Sequence, residues 1–275
     1  IDYLTKNEVG IFFGNDSSAV PVMEAIDTVR EKKDTMLIGS GSIFQSMNST
    51  VSMNLAVIFK LKGINMTVSA ACASGSHTVG LGYHFIKSGL QKMVICGGAQ
   101  EVNPESTGSF DGLNAFSVRE DEPQKASRPF DANRDGLVPS GGAATLILEE
   151  YEHAVARGAN ILGEVIGYGF SSNGDHISVP NVDGPYKSLM MAIKDSGLKA
   201  SDIDYINAHG TGTIQNDREE TRAIKRVFGG TSYSIPVNST KSMLGHTFAA
   251  CGVIESAVCL MSLRENMVHV TRNFT

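Results

Sequence analysis

Short apolar runs alternate along the chain with stretches whose apolar residues recur every three or four positions. Residues 9–13, 66–70, 93–96, 143–148, 161–168, 203–207 and 234–237 read as strands. Between them, Val22, Ile26 and Val29 share one helical face, and so do Met47, Val51, Leu55 and Ile58. Val79, Tyr83 and Ile86 mark a third helix, with Gly89 as its stop. Tyr186, Leu189, Met190 and Ile193 predict a helix ending near Gly197, and a last helix is expected over 249–263. Polar, Gly- and Pro-containing stretches at 121–134 and 169–185 read as loops. The alternation predicts an α/β layered fold.

Composition narrows the classes. The chain has 275 residues, 41% of them hydrophobic, enough for one large or two smaller cores. A net charge of −6 gives no electrostatic reason to expect nucleic acid. The longest apolar stretch, 253–263, contains Glu255 and is too short for a membrane span. No leader pattern follows Ile1, so a cytoplasmic location is the expectation. The four cysteines, Cys72, Cys96, Cys251 and Cys259, form no Cys-x-x-Cys pair and no disulfide scaffold. Cys96, Cys251 and Cys259 sit in apolar stretches and read as small core residues.

Cys72 differs. It lies between a strand and a helix starting near Ser74, among Ala, Ser and Gly. Small neighbours permit a sharp turn, as in a nucleophile elbow. The positive end of a helix favours a thiolate, and the Cys72 N–H is placed to donate to an oxyanion. His209 follows the 203–207 run, at the strand end where α/β sheets place their sites, with Gly210 and Gly212 to allow a tight turn. His246 follows Gly245 and precedes the last helix. Lys241, five residues earlier, predicts a cation that keeps imidazoles neutral, and Glu220 is a candidate partner for it. The alternative for Lys241 and Glu220 is a solvated surface pair of little consequence. Zinc is a competing use of the thiol and histidines, but Cys72 and His77 do not match one helical face, so no metal is expected.

The segments Ser69-Ala70-Ala71-Cys72-Ala73-Ser74-Gly75, Ala208-His209-Gly210-Thr211-Gly212-Thr213 and Lys241-Ser242-Met243-Leu244-Gly245-His246 together resemble the elongating β-ketoacyl-acyl carrier protein synthases of the thiolase superfamily. Lys125-Ala126-Ser127-Arg128-Pro129-Phe130-Asp131 and Arg134-Asp135-Gly136 extend the similarity. The resemblance implies a thiolase-like αβαβα fold of five layers with two pseudo-duplicated halves, here near 1–150 and 151–275. It implies decarboxylative Claisen condensation of an enzyme-bound acyl group with malonyl-acyl carrier protein. Cys72 would then be the nucleophile, and His209 and His246 hydrogen-bond donors to the malonyl thioester. Lys241 with Glu220 would hold the site, and Thr211, Thr213 and Ser178 would line the pantetheine channel. No cofactor is implied, because phosphopantetheine arrives on the carrier-protein substrate. Acyl carrier protein and a second copy of the chain are the implied partners.

The sequence also departs from the pattern. Ile1 is not a start methionine, and the chain ends at Thr275 before the family's Gly-Phe-Gly-Gly segment, so it is expected to be truncated at both ends. Leu137 stands where phenylalanine is usual. Two other readings compete. A Cys-His acyltransferase or thioester hydrolase leaves the second histidine and Lys241 unused. A non-catalytic dimer-partner subunit would not need Cys72.

Overall fold

A run that is apolar throughout, rather than alternately, suits a strand covered on both faces. The computed structural model describes residues 2–275 and places 9–13 in that setting; Ile1 lies outside them. Strand β1 (Val9–Gly14) pairs in parallel with β2 (Asn65–Val68) and β3 (Met93–Gln100). Strand β3 pairs antiparallel with β4 (Gly142–Glu149), giving the order β2-β1-β3-β4. The chain divides into two compact units. One gathers the chain through Gly112 with Ser140–Asn160 and Thr247–Ser256; the other gathers Leu113–Pro139, Ile161–His246 and Ala257–Thr275.

Helices α1 (Ala19–Lys32), α2 (Thr50–Phe59) and α3 (Ser74–Lys87) belong to the first unit. Val9, Ile11 and Phe13 point to one face of the sheet and form a core with Met93 and Ile95, which Val51 and Leu55 of α2 cover. The expected stripe through Met47 and Ile58 is shorter than its spacing suggested. Met47 lies before α2, and Ile58 is exposed. On the other face Phe12 meets Phe85 of α3 edge-on, ring centroids 4.9 Å apart. Gly82 lets α3 approach β3, since a Cβ there would lie 2.3 Å from Cys96 Sγ. Thr78 Oγ1 donates to Gly97 O at 3.0 Å and ties the helix to the strand.

In the second unit, α4 (Asp183–Ser196) ends as expected at Gly197, which is left-handed at φ +73°. A two-residue strand β5 (Ile206–Asn207) precedes α5 (Ile214–Phe228) and pairs in parallel with β6 (Val237–Asn238). A four-residue helix α6 (Lys241–Leu244) follows β6. Helix α7 (Cys251–Glu265), the expected last helix, begins in the first unit and continues into the second.

Three strand expectations need correction. Residues 161–168 form no named strand. Gly167 and Gly169 press that segment against α4, and Tyr168 gives its N–H to the Asp195 carboxylate at 3.0 Å rather than to a ladder. The 234–237 run pairs only from Val237. Ser234 and Ile235 turn their N–H groups back to Thr231 O, and Pro236 has none. Partnered by so short a strand, the expected 203–207 strand shrinks to Ile206–Asn207.

Candidate active site

The thiol turn belongs to the first unit. Beyond Val68 the chain makes one tight reversal and enters α3 at Ser74. Ala73 and Ser74 donate back to Ala70 O and Ala71 O at 3.0 and 3.1 Å. The fully buried Ser74 hydroxyl accepts from Ala70 N–H at 2.8 Å and donates to Ala71 O at 2.7 Å. Ala71 is left-handed at φ +48°, and Cys72, half-buried, comes next. From α7, the buried Cys251 thiol donates to Cys72 O at 3.2 Å. Cys251 therefore does more than fill a core, the role its apolar neighbours suggested. Burial pushes the Cys96 thiol far up, so it stays protonated.

The histidine turns belong to the second unit. Gly210 and Gly212 take φ +43° and +83°, which lets the chain after Ala208 fold over the start of α5. Glu220, one of α5's residues, accepts from His209 N–H at 2.7 Å and Gly210 N–H at 2.8 Å. Its carboxylate thus holds the backbone of the turn. Burial raises its pKa, while these two bonds and the charge of Lys241 pull the other way. Asp217, four-residue neighbour to Thr221 on the same helix, binds Phe130 N–H at 2.7 Å and Gly212 N–H at 3.2 Å. Arg134 caps the turn through Thr213 O and Ile214 O at 3.3 and 2.8 Å. The segments around Phe130 and Arg134 therefore brace the His209 turn.

Lys241 is 2% exposed. Its ammonium donates to His209 O at 2.7 Å and lies 3.3 Å from His209 Nδ1. An ammonium has only donors, so Nδ1 is the acceptor and the proton of neutral His209 sits on Nε2. His246, 1% exposed, is fixed by its own N–H to Val138 O at 2.7 Å. The two imidazoles meet edge-on, centroids 5.3 Å apart. Burial, then the charge of Lys241, brings His246 down to about 3, and the same causes with His246 added hold His209 well below its ordinary value. Lys241 acts as expected, but burial is the larger cause.

Thr211 and Thr213 spend their hydroxyls on each other at 2.9 Å. Ser178 lies in an exposed loop, where its N–H donates to His176 Nδ1 at 3.1 Å. Sequence reasoning missed Asp16, whose carboxylate accepts from Ser69 Oγ at 2.8 Å and Ala71 N–H at 3.0 Å. Its signal was position: it follows a parallel strand's carboxyl end, where α/β folds collect functional groups. Ser239 was missed too; its hydroxyl donates to Gly210 O at 2.7 Å.

Comparison with known proteins identifies the family. The profile of the β-ketoacyl synthase N-terminal domain matches residues 1–154, and that of the C-terminal domain matches 162–275. The chain is 40% identical over 276 residues to the 3-oxoacyl-[acyl-carrier-protein] synthase 2 of Synechocystis sp., covering 99% of this chain and 66% of that protein. A solved β-ketoacyl synthase from Burkholderia phymatum STM815 matches with a TM-score of 0.92 at 39% identity, over 99% of this chain and 66% of that one. A type II polyketide ketosynthase, solved with its acyl-carrier protein, gives 0.93 at 33% identity, over 98% of this chain and 68% of that one. The chain spans about two-thirds of the length of the curated relatives it matches. With one profile spanning the thiol turn and the other both histidine turns, the chain belongs to the β-ketoacyl synthase family and has its thiolase-like fold.

Proposed function

We propose that the protein is a carbon–carbon bond-forming acyltransferase: it condenses an enzyme-bound acyl group with malonyl-acyl carrier protein, with loss of CO₂. The Cys72 thiolate attacks the carbonyl of an acyl-carrier thioester, and the carrier thiol leaves with a proton. A malonyl thioester then replaces it. His209 and His246 donate hydrogen bonds to its carbonyl oxygen while CO₂ departs and the C–C electron pair becomes an enolate. The enolate carbon attacks the Cys72 thioester, and collapse of the adduct expels the thiolate and releases a β-ketoacyl carrier thioester two carbons longer.

The observation that carries this reading is the neutral imidazole pair, with Lys241 on Nδ1 of His209. Such a pair donates to developing negative charge without transferring a full proton. A hydrolase needs one basic imidazole and gains nothing from two held below their ordinary pKa. Carrier protein is the proposed partner, in line with the ketosynthase solved in complex with its own. Thr211, Thr213 and Ser178 are the proposed contacts of its pantetheine arm, and no other cofactor is needed because the thioester supplies the reactive carbon. A homodimer is the proposed assembly. The test supplies the full-length protein with an acyl primer and malonyl carrier protein and follows products by mass spectrometry. A β-ketoacyl thioester with one CO₂ per turnover is expected. Free acid without CO₂ would establish the hydrolase instead.

A further inference from the structure

The thiol turn is held by a carboxylate from elsewhere in the chain. Asp16 lies two residues beyond the carboxyl end of β1, where the parallel register sets Gly14 beside Val68. Its backbone is clamped: Asn15 N–H donates to Val68 O at 3.3 Å, Asn15 Nδ2 to Asn48 O at 2.9 Å, and Asn48 Nδ2 to Asp16 O at 3.2 Å. From that fixed base, Oδ1 takes both the Ser69 hydroxyl and the Ala71 N–H. Ala71 is left-handed, a conformation an alanine adopts only when its surroundings impose it. Its carbonyl side is secured by Ser74 and its N–H side by Asp16.

We infer that Asp16 is a positioning residue for Cys72, holding Ala71 in its left-handed conformation so that the next residue presents its thiol from the turn. In its catalytic part the inference rests on the reading of Cys72 as acyl acceptor. The same carboxylate has an opposing effect. A negative charge bonded to the residue before the thiol disfavours the thiolate, so the geometry is gained against ionisation. Asparagine separates the two effects, because its Oδ1 accepts both bonds and carries no charge.

The test uses the full-length protein and two readouts on the Cys72 peptide. One is the rate of alkylation by iodoacetamide from about pH 6 to 10, which follows the thiolate. The other is acyl transfer to Cys72 from a simple acyl thioester. Circular dichroism melts confirm folding of each variant. For Asp16→Asn, alkylation is expected to shift to lower pH by about half a unit or more, with acyl transfer within about threefold of wild type. For Asp16→Ala, acyl transfer is expected to fall about tenfold or more. An Asp16→Ala protein that transfers acyl groups as wild type does would overturn the inference, and so would an Asp16→Asn protein as slow as the alanine variant. Should the alanine variant fail to fold, an asparagine variant whose acyl transfer falls about tenfold would still overturn it. Alkylation needs no acyl group: a wild-type protein that takes up none would count against the condensation reading, while the pH profile would still judge Asp16.

Discussion

His209 illustrates how one neighbour fixes the chemistry of a side chain. Lys241 occupies the lone pair of Nδ1, so the ring has one proton left and one place to offer it, Nε2. The pair's stability depends on pH in a definite direction. Burial weakens the proton affinity of both rings in the folded state, so the unfolded chain takes up protons first. Their contribution is complete above the ordinary value of 6.5 and is lost as pH falls from there toward about 3, where His246 titrates. Urea unfolding followed from about pH 7 to 4 is expected to show His246→Asn losing less stability than wild type over that window. Equal slopes would place a protonated imidazole in the folded state. Cys72, His209 and His246 were legible in the sequence because each stands among small residues that leave a reactive group little other purpose. Asp16 and Ser239 were not. An aspartate or a serine in a loop has many ordinary uses, and only the parallel register beside Val68, or the return of the chain to Gly210, gives these two theirs.

At the scale of elements, hydrophobic periodicity located β1 and α3 well because each packs into the core of the sheet; it located α1 and α4 too, although Val22, Ile26 and Met190 of their stripes stay exposed. It misplaced the elements whose backbone bonds go to side chains. Residues 161–168 carry a strand's apolar content, but Asp195 takes the N–H that a ladder would use. The pairing of α3 with the start of α7 was also illegible, since it depends on glycines meeting backbone. A Cβ on Gly252 would lie 2.0 Å from Ser76 Oγ and 2.6 Å from Ser76 N. Gly252→Ala is therefore expected to destabilise the fold by about 1–3 kcal/mol. It is also expected to slow acylation, because Cys251 beside it bonds the carbonyl of Cys72. Denaturant unfolding with a labelling assay checks both. A variant as stable as wild type would mean that the two helices separate at no cost.

For the whole molecule, the sheet order leaves β2 at an edge. Its outer backbone groups offer a template for another strand, and a two-fold contact there is self-complementary. Val68→Asp is expected to turn a dimer into monomers or unfolded chains in sedimentation at micromolar concentration. An active monomer of the unmodified full-length protein would remove this proposal. Among the described residues no helix is long and apolar enough to cross a membrane. The central claim is a division of labour, with Cys72 accepting the acyl group and the neutral histidines stabilising the enolate. It is tested most directly by timing the two half-reactions separately in His209→Ala and His246→Ala proteins. Malonyl decarboxylation is predicted to fall by roughly 10²-fold or more, the scale of a lost transition-state donor, while acylation of Cys72 falls much less. Equal losses in both would contradict the account and assign the histidines to the thiol.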